Sequence, residues 1–360
     1  MTPPAASRVV SWGRTGGGRE VECVTHENDH GMRLSCIDYG ATLTAINVPD
    51  QRGQMRNVVL SLPDLASHER TRRRFGAVMG RYAGRIGGAR FVLDGREIKL
   101  ASNADGVALH GEPDGFDRRV WRRRDFSDDR SMGSTFHLTS ADGDQQFPGR
   151  LDVSVTYRLF RQHNTFRIEY GATCDAPTVV NLTNHAFFNL VGAGSRGLAS
   201  HRFQIHADRH AVTDARRVPT GELADVTGTP LDFRHEADIS TRLESGHTLL
   251  GIPPGFDHSL LFAGHTGGLK VVATIREQSS GRGMEICTTE PSVQFFSGNG
   301  FDGSEIGSEG VGYQRHDGFA FETQHLPDSP NHAHFPSTTL HPGDKFQSIT
   351  AFRFFVEQTP

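Results

Sequence analysis

The sequence predicts an all-β protein, a large antiparallel β-sandwich with few short helices, and three observations carry that reading. The first is alternation. "RLDVSVTYRLF" places Leu151, Val153, Val155, Tyr157 and Leu159 on one face and Asp152, Ser154, Thr156 and Arg158 on the other, the period of two that a half-buried strand requires. The second is the turn supply: 41 glycines are scattered along the chain, and no long amphipathic helix pattern interrupts them. The third is "ARFVLDGREIKL", where Asp94-Gly95 separates two short runs, a strong hairpin signal.

Taken in order, the chain opens with "MTPPAASRVVSWGR", of which about the first dozen residues read as a loose tail. "GRTGGGRE" is glycine-rich but lacks the Lys-Ser/Thr of a phosphate loop, and no helix pattern follows; it reads as a hairpin turn. "LPDLASHERTRRR" allows one short helix. The basic runs "RTRRRF" at Arg70 to Phe75 and "RRVWRRR" at Arg118 to Arg124 read as solvated edges. Near the end, "KFQSITAFRFF" puts Phe346, Phe352 and Phe354 on one side of a strand. No repeat, low-complexity block or linker divides the chain, so residues 1–360 read as one domain.

Composition narrows the function. With 38 Lys+Arg against 42 Asp+Glu, the net charge is −4, which argues against nucleic acid as a partner, since phosphate binding needs surplus cations. No window approaches the roughly 20 apolar residues of a membrane span, and no signal-peptide run opens the chain. Four scattered cysteines without a CxxC suit a reducing cytoplasm.

"NLTNHAFFNL" (Asn181 to Leu190) divides by alternation into an apolar set, Leu182, Asn184, Ala186, Phe188 and Leu190, and a polar set, Asn181, Thr183, His185, Phe187 and Asn189. The polar set reads as the wall of a cleft. In "FAFETQHLPDSPN", Phe319 and Phe321 take one face and Ala320, Glu322 and Gln324 the other, so a carboxylate leaves an otherwise apolar strand. Such a group is costly unless paired or functional; on the residues alone, a catalytic Glu322 and a structural one bound to Arg85 or to backbone N–H groups both stand. Arg81, Arg85, His110, Asp257 and Gln294 complete the polar constellation. No metal site is expected: His206 with His210 and His332 with His334 lack a third ligand nearby. No G-x-S-x-G elbow supports acyl-enzyme chemistry.

Nine segments in order resemble the aldose 1-epimerase (galactose mutarotase) family: "GRYAGRIGGARFVLDG", "LHGEPDGFDRRVW", "FPGRLDVSVTYRL", "NLTNHAFFNL", "TPLDF", "GFDH", "VQFFSGNGFDG", "FETQHLPDSPNH" and "FPSTTLHPGDKF". The resemblance implies a mutarotase-type supersandwich with an open sugar cleft. It implies cofactor-free and metal-free interconversion of the α and β anomers of free, galactose- or glucose-like aldoses. Carried onto this chain, it makes Glu322 the general base and His185 the general acid, on opposite sides of the anomeric centre, with Arg85, His110, Asp257 and Gln294 binding the sugar. A bell-shaped pH profile follows, with an acidic limb from Glu322 and an alkaline limb from His185. Gly84 stands where many members have Asn, and Phe187 and Phe296 stand where tyrosine is common. Two rivals remain, a hexose-6-phosphate mutarotase and a non-catalytic sugar-binding module. A small aldose is the only partner implied, to a monomer or homodimer.

Overall fold

The computed structural model describes residues 6–264 and 266–357. Three antiparallel sheets dominate. A five-stranded meander takes Ala6–Arg14, Glu20–Glu27, Arg33–Ile37, Thr42–Pro49 and Met55–Asn57 in sequence order. A nine-stranded sheet runs from its edge at Arg122–Ser127 through Ser131–Ser140, Leu151–Phe160 and Thr165–Cys174 to Phe346–Val356, then through Arg282–Thr288, Lys270–Glu277 and His201–Ile205 to Ala237–Asp238. The site lies on a seven-stranded sheet ordered Pro219–Asp225, Ala207–Thr213, Asp257–Phe262, Ser292–Phe296, Phe319–Gln324, Phe187–Phe188 and Val59–Leu60. The largest apolar cluster draws on all three: Val24 and Leu34, then Phe136, Val155 and Phe352, then Phe295, Phe319 and Phe321. One inward face from each sheet is how antiparallel layers bury their apolar surface.

Local expectations met the structure at named places. Leu151–Phe160 alternates buried and half-buried without a break. Arg90–Leu93 and Arg96–Lys99 form the hairpin, with Asp94 at φ 48° and Gly95 at φ 77°, both left-handed as its two-residue turn requires. Leu65–Arg70 is the short helix, capped by the Asp64 carboxylate accepting from Ser67 N–H. Of "RRVWRRR", Arg122 and Arg124 lie exposed on the edge strand Arg122–Ser127, whereas Arg123 turns inward to pair with Glu22, Asp38 and Asp125, and Arg118 sits before the strand and donates to Glu69 O. One expectation needs correcting. Residues 6 to 12, read as part of a tail, belong to the strand Ala6–Arg14, which pairs with Glu20–Glu27 across the "TGGG" turn; the adjacent, exposed Val9 and Val10 break the alternation that would announce a strand. The rest of that tail, residues 1–5, lies outside the described residues.

Arg81 shows how one of two motif arginines serves the fold. Its side chain is fully buried and donates to the carbonyls of Ser140, Ala141, Pro148 and Gly149 and to the hydroxyls of Ser140 and Thr178. It thereby clamps the 140–149 loop beneath the segment that carries Arg85. Arg81→Leu removes every one of these donors and leaves buried carbonyls without partners, each costing about 1–3 kcal/mol. Urea unfolding should show at least about 3 kcal/mol of lost stability; a loss below about 1 kcal/mol would mean that water replaces the guanidinium freely.

Candidate active site

Three neighbouring strands place the first group of site residues. Gln294 lies directly across from Glu322, and Ser259 across from Gln294. Asp257, two residues before Ser259, shares its face because the strand period is two. Hydrogen bonds run along this row: Ser259 Oγ donates to Gln294 Oε1 at 2.5 Å, and Gln294 Nε2 donates to Asp257 Oδ1 at 2.6 Å. Phe319 and Phe321 point to the core, as the alternation requires, yet Glu322 on the opposite face is also buried, at 3% exposure. That face is covered by the segment carrying Gly84, Arg85 and His110.

Asn181 holds the covering segments in register. Its Nδ2 donates to the carbonyls of Ala83 (3.0 Å) and His325 (3.2 Å), and its Oδ1 accepts from His325 N–H (3.1 Å). One amide thus ties the chain near Arg85 to the continuation of the Glu322 strand, a few residues before His185. Thr183 Oγ1 donates to Thr323 O, and Asn189 Nδ2 to Asp317 O. These contacts correct the reading of the polar set as a cleft wall. Asn181, Thr183 and Asn189 are at most 1% exposed and serve backbone carbonyls, while Phe187 packs against Phe75, Phe296 and Phe301. Alternation separates two faces but does not distinguish a cleft from a second buried layer. His185 alone of the five reaches the site, its Nε2 3.6 Å from Glu322 Oε1.

Arg85 and His110 arrive together because Arg85–Ile86 pairs with Ala108–Leu109. Asp328 secures that segment from the far end of the chain: its N–H donates to Arg85 O (2.7 Å) and its carboxylate accepts from Gly87 N–H (2.9 Å). Gly84, at φ 84°, donates its N–H to His110 Nδ1 at 3.1 Å. This fixes the tautomer of neutral His110, with the proton on Nε2. His110, His185 and Glu322 have ligand atoms within 4.8 Å of one another, a cluster the spacing of sequence histidines did not announce. As a cation site it fits poorly: the Nδ1 lone pair of His110 is taken by Gly84 and its Nε2 bears the proton, so neither nitrogen offers a lone pair. The ring is arranged as a donor.

The structure therefore gathers Arg85, His110, His185, Asp257, Gln294 and Glu322 at one place. Arg85 Nη2 lies 3.8 Å from Asp257 Oδ2, and the His110 and His185 rings are 5.7 Å apart. Three further residues border the site. Arg74, from the basic run read as surface, is only 12% exposed and pairs with Glu112; the positive potential of its guanidinium is felt at His110, His185 and Glu322. Arg217 pairs with Asp257 from a turn without any motif signal. Gln324 shares the Glu322 face, a placement visible in the alternation, and its buried amide has no hydrogen-bond partner among the described residues. Gly84 lies against it: a Cβ there would sit 3.2 Å from Gln324 Nε2.

Burial drives the two central groups toward their neutral forms. It pushes Glu322 up to about 8, with Asp257 adding to the rise and Arg74 and Arg85 opposing it. It pushes His185 down to about 3, with Arg74 adding to the fall. Burial would raise Asp257 too, but Arg85 and Arg217 outweigh it and hold that carboxylate below its usual range. Between these limits the His185–Glu322 pair carries one proton, and it resides on Glu322. The limbs expected from sequence are thus reversed: Glu322 loses the pair's proton as pH rises through about 8, and His185 gains a second as pH falls through about 3. Since the active pair holds one proton however it is shared, kcat/KM should be flat through neutrality and fall at alkaline pH. An optimum confined between ordinary Glu and His values, roughly 4 and 6.5, would contradict this assignment.

The sequence pattern described as aldose 1-epimerase matches residues 22–353. The galactose mutarotase of Homo sapiens is 37% identical over 352 residues, covering 98% of this chain and 99% of its own. The aldose 1-epimerase of Escherichia coli (strain K12) is 35% identical over 343 residues, covering 94% and 97%. Among solved structures, galactose 1-epimerase from Lactobacillus acidophilus superposes with a TM-score of 0.86 at 25% identity, covering 98% of this chain and 99% of that one. A homologue from C. elegans gives 0.83 at 27% identity, with 98% and 99% covered. With a family pattern spanning nearly all of it and relatives 35% and 37% identical over nearly their full length, this chain belongs to the aldose 1-epimerase family.

Proposed function

We propose that this chain interconverts the α and β anomers of free, galactose- or glucose-like aldoses by acid–base opening and closure of the ring. The observation that carries the reading is the buried His185–Glu322 pair, Nε2 to Oε1 3.6 Å apart, beside the row of polar groups formed by Asp257, Ser259 and Gln294. Mutarotation needs a proton taken from the C1 hydroxyl and one given to the ring oxygen O5; the C1–O5 bond breaks, the carbonyl carbon turns about C1–C2, and closure on its other face yields the other anomer. O1 and O5 share one carbon, so two groups lying side by side reach both. This replaces the expected placement on opposite sides of the anomeric centre. Glu322 serves as base and His185 as acid in one direction, after the resting proton has crossed the short gap between them, and they exchange roles on closure. Burial leaves Glu322 at about 8 and His185 at about 3, so both groups are uncharged at neutral pH and the proton's crossing to His185 is the uphill part of the cycle. Arg85, the Nε2–H of His110, Asp257 and Gln294 hold the ring in register.

The chain acts, on this reading, as one domain, because the pieces of the site come from both ends of the sequence. No described helix is long and apolar enough to cross a membrane; a cytoplasmic monomer or homodimer acting without metal or organic cofactor remains part of the proposal. Polarimetry of fresh α-galactose and α-glucose tests it. The purified protein should speed the approach to anomeric equilibrium, and EDTA should leave the rate unchanged. Loss of activity on chelation with recovery on adding zinc would overturn the metal-free mechanism; no acceleration of any aldose would overturn the reaction.

A further inference from the structure

The two histidines of "NHAHF", for which the sequence offers no third metal ligand, have a different task in the structure. Pro219–Asp225 is the outermost strand of the seven-stranded sheet, and carbonyls on such an edge lack a ladder partner. His332 Nε2 lies 3.1 Å from Pro219 O, and His334 Nε2 lies 2.8 Å from Gly221 O. A carbonyl only accepts, so both rings donate and carry a proton on Nε2.

His332 does more than cover an edge. The same Nε2 is 3.3 Å from Asp328 Oδ2, and the ring, 17% exposed, rests on Phe335 with centroids 4.8 Å apart. Asp328 is the residue that secures the Arg85 segment, through Arg85 O and Gly87 N–H. Pro219 opens its strand two residues after Arg217, which sits in the turn that follows Ala207–Thr213. Val218 of that turn packs against Gly87, where a Cβ would come within 2.9 Å of Val218 Cγ1. One N–H therefore ties together the two segments whose arginines, Arg85 and Arg217, face Asp257 Oδ2; Gln294 holds the other oxygen. His334 makes no hydrogen bond or ion pair with Asp328 among the described residues.

We infer that His332 is a positioning residue for sugar binding: its shared N–H fixes the Arg85 segment and the Arg217 turn relative to one another, and through the two arginines it aims the carboxylate of Asp257 at the sugar hydroxyls. The inference rests on the mutarotase reading and adds to that site a residue that touches no substrate. Without the shared N–H the two arginines lose their common frame, and Asp257 samples more orientations. His185 and Glu322 are held independently: Gly76 N–H donates to His185 O, His185 N–H donates to Ala77 O, and Glu322 pairs in register with Gln294. Loss of His332 therefore removes binding common to the ground and transition states and leaves proton transfer intact, which raises KM at constant kcat.

The test is steady-state polarimetry of galactose with variants that separate the N–H from the ring. His332→Ala and His332→Phe, the second keeping a ring on Phe335, should each raise KM about fivefold, the net worth of one hydrogen bond, with kcat within about twofold. His332→Gln, whose amide N–H groups can donate to both acceptors, should keep KM within about twofold of wild type. In an Asp257→Ala background, His332→Phe should change KM by less than about twofold, because the group it positions is gone. His334→Ala should leave KM within about twofold, since its bond to the same strand does not reach Asp328. An unchanged KM in His332→Phe, a fall in kcat at constant KM, an equal rise in His334→Ala, or an effect that persists without Asp257 overturns the inference while leaving the mutarotase reading intact. If the wild type accelerates no aldose, that reading fails, and calorimetric titration of galactose into the same proteins still decides: weaker binding by His332→Phe that disappears without Asp257 upholds the positioning role, and equal binding rejects it.

Discussion

Glu322→Gln is expected to lower kcat roughly 100- to 10,000-fold while moving KM little, the range typical of losing one positioned proton-transfer group. Glutamine has nearly the same shape and still hydrogen-bonds the C1 hydroxyl, so ground-state binding survives; it cannot take up a proton, so stabilisation peculiar to the transition state is lost. The structure sharpens this expectation. Glu322 is buried, its Oε2 has no hydrogen-bond partner among the described residues, and burial holds its pKa near 8. A carboxyl group kept for structure would be spending that desolvation without return, and a neutral amide would replace it at no cost or even stabilise the fold. Two measurements separate the cases. Steady-state polarimetry should show the large fall in kcat, and thermal unfolding should show unchanged or increased stability. A kcat within about threefold of wild type would make Glu322 structural and the mechanism wrong.

His185→Asn should reduce kcat on a similar scale, and the double substitution should be far less impaired than the product of the two single effects. The imidazole and the carboxyl group exchange one proton across 3.6 Å, so removing either partner disables the same event, and groups acting as a unit are strongly non-additive. Asparagine is smaller than the ring it replaces, which packs against Phe187 with centroids 5.0 Å apart and edge-on to His110; some loss of stability is expected and should be measured alongside. The pH profile separates the two effects, because a packing defect scales the curve down without moving its limbs, whereas loss of the proton partner changes them. Multiplying rather than saturating effects in the double variant would show that His185 and Glu322 act in independent steps.

By itself the sequence determined the all-β class, several of its strands and the chemistry they carry. Clean alternation in "RLDVSVTYRLF", the Asp94-Gly95 turn and the Phe319/Phe321 face opposite Glu322 are local signals, and local backbone geometry is sufficient to interpret them. The residues that would meet at the site were legible through nine ordered segments resembling one family, because their side-chain types and spacing survive in the linear chain. Tertiary structure decided which polar residues are tools and which are fasteners. Asn181 and Arg81 look as functional as His185 and Arg85 in their motifs, yet both are spent on backbone carbonyls supplied by segments distant in sequence. Only packing decided the ionisation of His185 and Glu322, since desolvation is a property of everything around a group and not of its neighbours in the chain. The same holds for Arg217: nothing near it in sequence marks it, and its meaning arises only when the turn that carries it folds over Asp257.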